Sequence, residues 1–220
     1  MSSLLQVDVY FDLICPWCLI GKRHLQRALL QLRKSQPQLT LQMNWHGAQL
    51  LPHLPVAGVP FADFYQQRLG SAQAVRMRQA QVYQAAAAAG LELDLSRIAL
   101  MPNTADAHRL LACALALGDA ARCERLLERL FAAYFQCGED LGDAATLLAI
   151  AEECGFEPAQ LAPALLGNGQ PYFAPPASDR ALSVPHFVFN DRFEVSGAQP
   201  AEVLLATMQQ ALAQQQEQRA

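Results

Sequence analysis

Residues 14–21 read Ile14-Cys15-Pro16-Trp17-Cys18-Leu19-Ile20-Gly21, two cysteines with two residues between them, a dozen residues into the chain. The spacing alone fits half a metal site, a structural staple or a redox pair. The flanks narrow the choice. Upstream, Gln6–Leu13 (QVDVYFDL) alternates apolar and polar residues and is rich in β-formers, which predicts a strand. Downstream, Cys15 to about Lys34 carries helical spacing through Leu19, Arg23, Leu25, Leu29 and Leu32, and Pro37 ends it. Leu39–Trp45 (LTLQMNW) predicts a second strand. Strand, helix and strand at these distances suit a right-handed parallel βαβ crossover.

Beyond Trp45 the pattern changes. From Phe61 to about Leu166 the signals are helical, with almost none for strands. Ser71–Ala89 stops at Gly90, and Thr104–Leu117 follows Asn103 and stops at Gly118. Asp119–Cys137 and Asp143–Cys154 each open on an Asp able to cap free N–H groups and end at Gly138 and Gly155. A short helix follows Pro158, and Gly167–Pro176 predicts a loop. His186–Asn190 and Arg192–Val195 predict a hairpin about Asn190-Asp191, and Gln199–Gln216 a closing helix. With the helical block removed, βαβ–ββα remains. The expected fold is α/β and thioredoxin-like, with a large all-helical insertion after the second strand. Residues 1–50 and 177–220 form the thioredoxin-like domain and 51–176 the insertion.

The chain of 220 residues is 52% hydrophobic, enough for a sizeable core, and its formal charge of −4 leaves no basic footprint for nucleic acid. The apolar run near Leu110–Leu117 is too short to span a bilayer, and MSSLLQVDVYFDL lacks a basic n-region and a small-residue cleavage site. No membrane partner is expected, and the expected location is cytoplasmic. Thiols are reduced there, so a close pair is catalytic or metal-binding rather than structural. A zinc site wants four ligands, yet Cys113, Cys123, Cys137 and Cys154 are spread over three predicted helices and read as small buried hydrophobes. No metal is expected.

A C-x-x-C at the passage from strand to helix within a βαβ unit reads as a thioredoxin-type redox motif. Cys15 would sit at the helix N-terminus near unpaired N–H groups, with Cys18 one turn on, on the same face. Pro16 suits the first turn, where a missing N–H costs nothing. An unperturbed thiol is only about 3% ionised at pH 7, and the helix dipole lowers its pKa by roughly 0.2–1.5. Direct N–H···S⁻ bonds, one from Cys18, are expected to supply the rest. Pro16-Trp17 brings no cation, so the expected reduction potential lies between about −120 and −270 mV.

VDVYFDLICPWCLIGKRHL resembles the opening of the DsbA-like thioredoxin-fold proteins of the FrnE subgroup. So do Asn103-Thr104 with Ala107-His108-Arg109, Ala133-Tyr134-Phe135 leading to Asp140-Leu141-Gly142-Asp143, and Val184-Pro185 followed by Val195-Ser196-Gly197-Ala198-Gln199. The resemblance runs from about Val7 to Gln199. It implies a thiol–disulfide oxidoreductase or isomerase with Cys15 attacking and Cys18 resolving. It implies that Pro185 is the cis-proline facing the disulfide, and that Val184 offers its backbone to an extended substrate. The chain departs from the family at Leu19, where an aromatic is frequent, and at Ala181-Leu182-Ser183, where a Gly-rich approach is usual. Gly167–Pro176 likewise stands where a charged helix commonly precedes that loop. Related 2-hydroxychromene-2-carboxylate isomerases and kappa-class glutathione transferases place Ser at the position of Cys15. Two cysteines favour dithiol chemistry, and the Tyr10-Phe11-Asp12 lead fits both. The alternative is therefore a glutathione-dependent isomerase or transferase.

The expected partner is a disulfide-containing protein or peptide, or glutathione; no prosthetic group is required, and an oligomer is compatible with the sequence. Pro16 and Trp17 are expected beside the substrate, with Trp17 exposed. Asp12 is either a proton acceptor for Cys18 or a strand-end hydrogen-bond partner. His108 is either a cap or interface histidine or a groove residue. His186 is either a neutral imidazole at a strand start or a contact that tunes Cys15. Lys22 and Arg23 read as a solvated helix face.

Overall fold

The computed structural model describes residues 4–173 and 183–217. The end of the expected loop at Ala174–Pro176, the expected boundary at 176/177 and the Ala181-Leu182 approach lie outside the described residues. In chain order the elements are β1 (Leu4–Phe11), α1 (Pro16–Ser35), β2 (Thr40–Gly47), β3 (Val59–Pro60), α2 (Phe61–Leu69), α3 (Ala72–Ala88) and β4 (Leu100–Met101). There follow α4 (Ala105–Ala116), α5 (Ala120–Ala132), α6 (Ala144–Glu153), α7 (Pro158–Leu161), β5 (His186–Phe189), β6 (Phe193–Ser196) and α8 (Ala201–Glu217). Gln49–Phe173 forms one compact unit, and the described residues on either side of it form the other.

In the flanking unit the sheet order is β2-β1-β5-β6, with β1 parallel to β2 and antiparallel to β5, and β5 antiparallel to β6. Alternation decides what each face carries. Leu5, Val7 and Val9 of β1 and Phe187 and Phe189 of β5 form one core with Leu25, Ala28 and Leu32 of α1 and with Leu204, Met208 and Leu212 of α8. The other face carries Gln6, Asp8 and Tyr10. There Asp8 accepts from Asn44 (3.0 Å) and Gln6 (2.8 Å), and lies 2.8 Å from His46 Nε2. Tyr10 stacks on His46 at 4.7 Å. The β5–β6 turn takes positive φ at Asn190 (49°) and Asp191 (58°), and Arg192 N–H donates to the Phe189 carbonyl at 3.2 Å, a type I′ turn.

In the inserted unit the two Asp caps form as the sequence predicts: the side chains of Asp119 and Asp143 accept from Arg122 and Thr146 N–H at the starts of α5 and α6. Ser71 caps α3 in the same way, accepting from Ala74 N–H. Two features differ from expectation. The insertion is not all-helical: β3 pairs with β4 as a two-residue ribbon, too short for any alternation to announce it. The helix expected from Asp119 to Cys137 is α5 followed by a π turn, Ala133–Cys137. There Asp94 N–H donates to the Phe135 carbonyl and Glu139 N–H to the Ala133 carbonyl, both at 2.8 Å. Gly138 closes the turn at φ +71°, where a Cβ would collide with the Arg97 carbonyl.

Candidate active site

β1 delivers the chain to the cysteine pair through a tight turn. Cys15 N–H donates to the Asp12 carbonyl (3.1 Å), and Ile14 N–H reaches Asp12 Oδ1 (3.4 Å). Cys15 is the N-cap of α1 in an extended conformation, with Pro16 in the first turn, where its fixed φ suits the helix. The Cys15 carbonyl accepts from Cys18 N–H at 3.0 Å and Leu19 N–H at 3.4 Å.

That arrangement corrects one expectation. The Cys15 side chain makes no cap hydrogen bond, so Cys18 N–H meets the Cys15 carbonyl rather than its sulfur. Cys18 N–H closes an i→i+3 bond of 3₁₀ type on the Cys15 carbonyl, the tightening common at helix ends. The sulfur instead lies 3.9 Å from the Val184 carbonyl oxygen. The Val184–Pro185 peptide bond is cis. The Pro185 carbonyl accepts from Gly197 N–H at 2.8 Å, which ties this loop to the end of β6.

The two thiols differ. Cys15 is 6% exposed and Cys18 is 2% exposed. Burial pushes the Cys18 thiol well above the usual thiol range. The hydrogen bond and charge of Cys15 push the same way, contact with the Asp12 backbone pulls against them, and the charge of Asp12 adds a further rise. Asp12 is fully buried, so its carboxyl acts in a low-dielectric setting. All six cysteines are free, and among the described residues no group of three or more His, Cys, Asp or Glu is placed to hold a metal ion.

Pro16 and Trp17 are half-buried. Trp17 is thus less open than expected. His186 follows Pro185, but its ring points to β6. Its Nδ1 lies 2.9 Å from Ser196 Oγ, and its Nε2 lies 3.3 Å from Glu194 Oε2. Strand alternation puts Phe187 toward α1 and His186 on the other face, so its polar partners are on β6 and not at Cys15. His108 belongs to the inserted unit, is buried on α4 and stacks on Tyr172 at 5.3 Å.

Lys22 is a second correction. It is 2% exposed rather than solvated, with its ammonium 5.7 Å from the centre of the Trp45 ring. Cys18, Leu19, Ile20, Gly21 and Lys22 are all buried, so the first turns of α1 have no solvated stripe. Arg23 is half-buried. The signal that could have found Lys22 is its spacing: it stands one turn after Cys18, on the same face.

A family model for the DSBA-like thioredoxin domain matches residues 6–170. The chain belongs to the DsbA-like thioredoxin family. No curated protein sequence matches it. Among solved structures it is similar to a probable DsbA oxidoreductase from Streptomyces coelicolor, with 26% identity and a TM-score of 0.77 over 94% of this chain and 89% of that one. It is also similar to a 2-hydroxychromene-2-carboxylate isomerase (14% identity, TM-score 0.56, 98% and 99% covered). A third is the cytosolic disulfide reductase DsbM of Pseudomonas aeruginosa, solved with GSH (16%, 0.51, 97% and 98%). At such low identity the last two show the fold alone.

Proposed function

We propose that this DsbA-like protein is a thiol–disulfide oxidoreductase working through Cys15 and Cys18. One observation carries the reading: of two free cysteines at the start of α1, Cys15 has its sulfur beside the Val184 carbonyl, next to a cis-proline, while Cys18 is held as a neutral thiol. The likeness to the Streptomyces oxidoreductase supports it.

In the reductive direction the Cys15 thiolate attacks a substrate disulfide. The substrate S–S bond breaks, one substrate sulfur leaves as a thiolate and takes a proton, and Cys15 is joined to the other. Cys18 then gives up its proton and attacks the Cys15 sulfur. The second substrate thiol is released, and two electrons have passed from the pair to the substrate. Two molecules of a thiol such as glutathione return the pair to the dithiol and leave as their own disulfide, and the same steps run backwards in an oxidase. The neutral Cys18 keeps its proton until the mixed disulfide forms. In this reading Asp12, which is buried and whose charge is felt at Cys18, receives it. Pro16, Trp17 and the Val184 backbone contact the substrate, and a reducing, cytoplasmic setting suits the reading.

One competing reading, a glutathione-dependent isomerase or transferase, stands beside it, because the Tyr10-Phe11-Asp12 lead fits both. Disulfide reduction and refolding of a scrambled protein, run on wild type, Cys15→Ser and Cys18→Ser, separate the two. The proposal expects both activities to vanish in Cys15→Ser. Retained glutathione-dependent isomerisation of a small molecule by Cys15→Ser assigns the chain to the competing reading.

A further inference from the structure

Gly21 stands inside α1, three residues after Cys18 and therefore on its face. An interior helical glycine costs about 1 kcal/mol relative to alanine. Its backbone is ordinary helix, so conformation does not require it there. Packing does. A Cβ at position 21 would lie 3.0 Å from Cγ and 3.4 Å from Cβ of Pro185, and 3.1 Å from Cζ of Phe187. The ring of the cis-proline occupies the space a side chain would take.

Neither neighbour has slack. The Pro185 carbonyl is held by Gly197 N–H at 2.8 Å, and Phe187 is fully buried in the core with α1 and α8. A methyl group at position 21 is relieved only by moving the loop or the helix. Both movements alter the 3.9 Å between the Cys15 sulfur and the Val184 carbonyl oxygen.

We infer that Gly21 is a positioning residue: by admitting the Pro185 ring it sets the gap between Cys15 and Val184, and so the preference for extended peptide disulfides over small ones. The inference rests on the thiol–disulfide reading above. An extended peptide must pair with the Val184 backbone while its sulfur reaches Cys15, two demands on one gap. A small aromatic disulfide needs the Cys15 sulfur alone. A shift of a few tenths of an ångström is therefore felt by the peptide and not by the small molecule.

The test is kcat/KM of wild type and Gly21→Ala, as full chains, with a disulfide-bonded extended peptide and with a small bis-aryl disulfide. The peptide value is expected to fall about tenfold, mainly through KM, while the bis-aryl value stays within about twofold. Equal loss on both substrates, or no loss on the peptide, overturns the inference. Gly21→Ala with Phe187→Leu removes the Cζ contact and leaves the methyl against Pro185. It should keep the peptide-selective loss, and recovery of the peptide rate assigns the pressure to Phe187 and overturns the inference too. A wild type that exchanges neither disulfide overturns the functional reading itself; a wild type that exchanges both, with an unchanged ratio in Gly21→Ala, overturns this inference alone.

Discussion

The Cys15 sulfur lies 3.9 Å from the Val184 carbonyl oxygen, whereas Cys18, one turn along α1, is raised by burial and by Cys15 itself into a thiol that keeps its proton. The pair is chemically asymmetric before any substrate arrives, and the asymmetry can be measured.

A short iodoacetamide pulse on the reduced protein at pH 7.5 should modify Cys15 at least about tenfold faster than Cys18. Peptide mapping reads the ratio. The Cys18 rate should climb only well above the pH at which a free thiol ionises. Equal rates at neutral pH contradict the asymmetry.

The same thiol gives stability a signed pH dependence. Folded Cys18 holds its proton more tightly than the unfolded chain does. Its contribution is complete below the unfolded value, about 8.5, and is lost as pH rises through the folded one. Cys123 and Cys154, raised first by burial, act in the same direction. The urea midpoint of the reduced protein should fall as pH is raised above about 8.5, and less steeply in Cys18→Ala.

Lys22 is buried with its ammonium near the Trp45 ring. Lys22→Ala removes the packed stem as well as the charge and should cost about 2–4 kcal/mol in urea unfolding. Lys22→Met keeps most of the stem and should cost less. No change in Lys22→Ala would mean that the side chain is solvated after all.

Asp106 holds the start of the segment after α7. It accepts from Leu166 N–H (3.0 Å), Gly167 N–H (2.8 Å) and Arg109 (2.7 Å). Burial acts to raise its pKa, but these bonds outweigh burial and hold it below the usual carboxylate range. Its contribution is present above the unfolded value, about 3.9, and is lost as pH falls through the folded one. Asp106→Ala should cost about 1–3 kcal/mol and speed amide exchange at Leu166 and Gly167.

What the sequence reveals, and where it falls silent, follows from how far each signal reaches. The alternation of Gln6–Phe11 and the Asn190-Asp191 pair are local, and both forecast the structure, because a strand face and a type I′ turn are decided by a few neighbouring residues. The Asp119 and Asp143 caps are local too. Lys22 is less legible: its charge predicts water, its place one turn after Cys18 hints at the buried face, and tertiary packing around the first turns of α1 decides in favour of burial. The β3–β4 ribbon joins Val59-Pro60 to Leu100-Met101, a pairing between two-residue segments that no periodicity marks. At the candidate site, Cys15 and Cys18 are marked by their spacing. The direction of the Cys15 sulfur and the turning of His186 toward β6 depend on residues more than 150 positions apart or on which side of a strand the core lies.

The central claim, that Cys15 attacks and Cys18 resolves, is tested most directly by intact-mass analysis of Cys18→Ser mixed with a peptide disulfide. The account predicts a stable mixed disulfide whose mass gain equals one peptide strand and which maps to Cys15, with none formed by Cys15→Ser. A mixed disulfide that maps to another cysteine, or none at all from a folded Cys18→Ser protein, would contradict it.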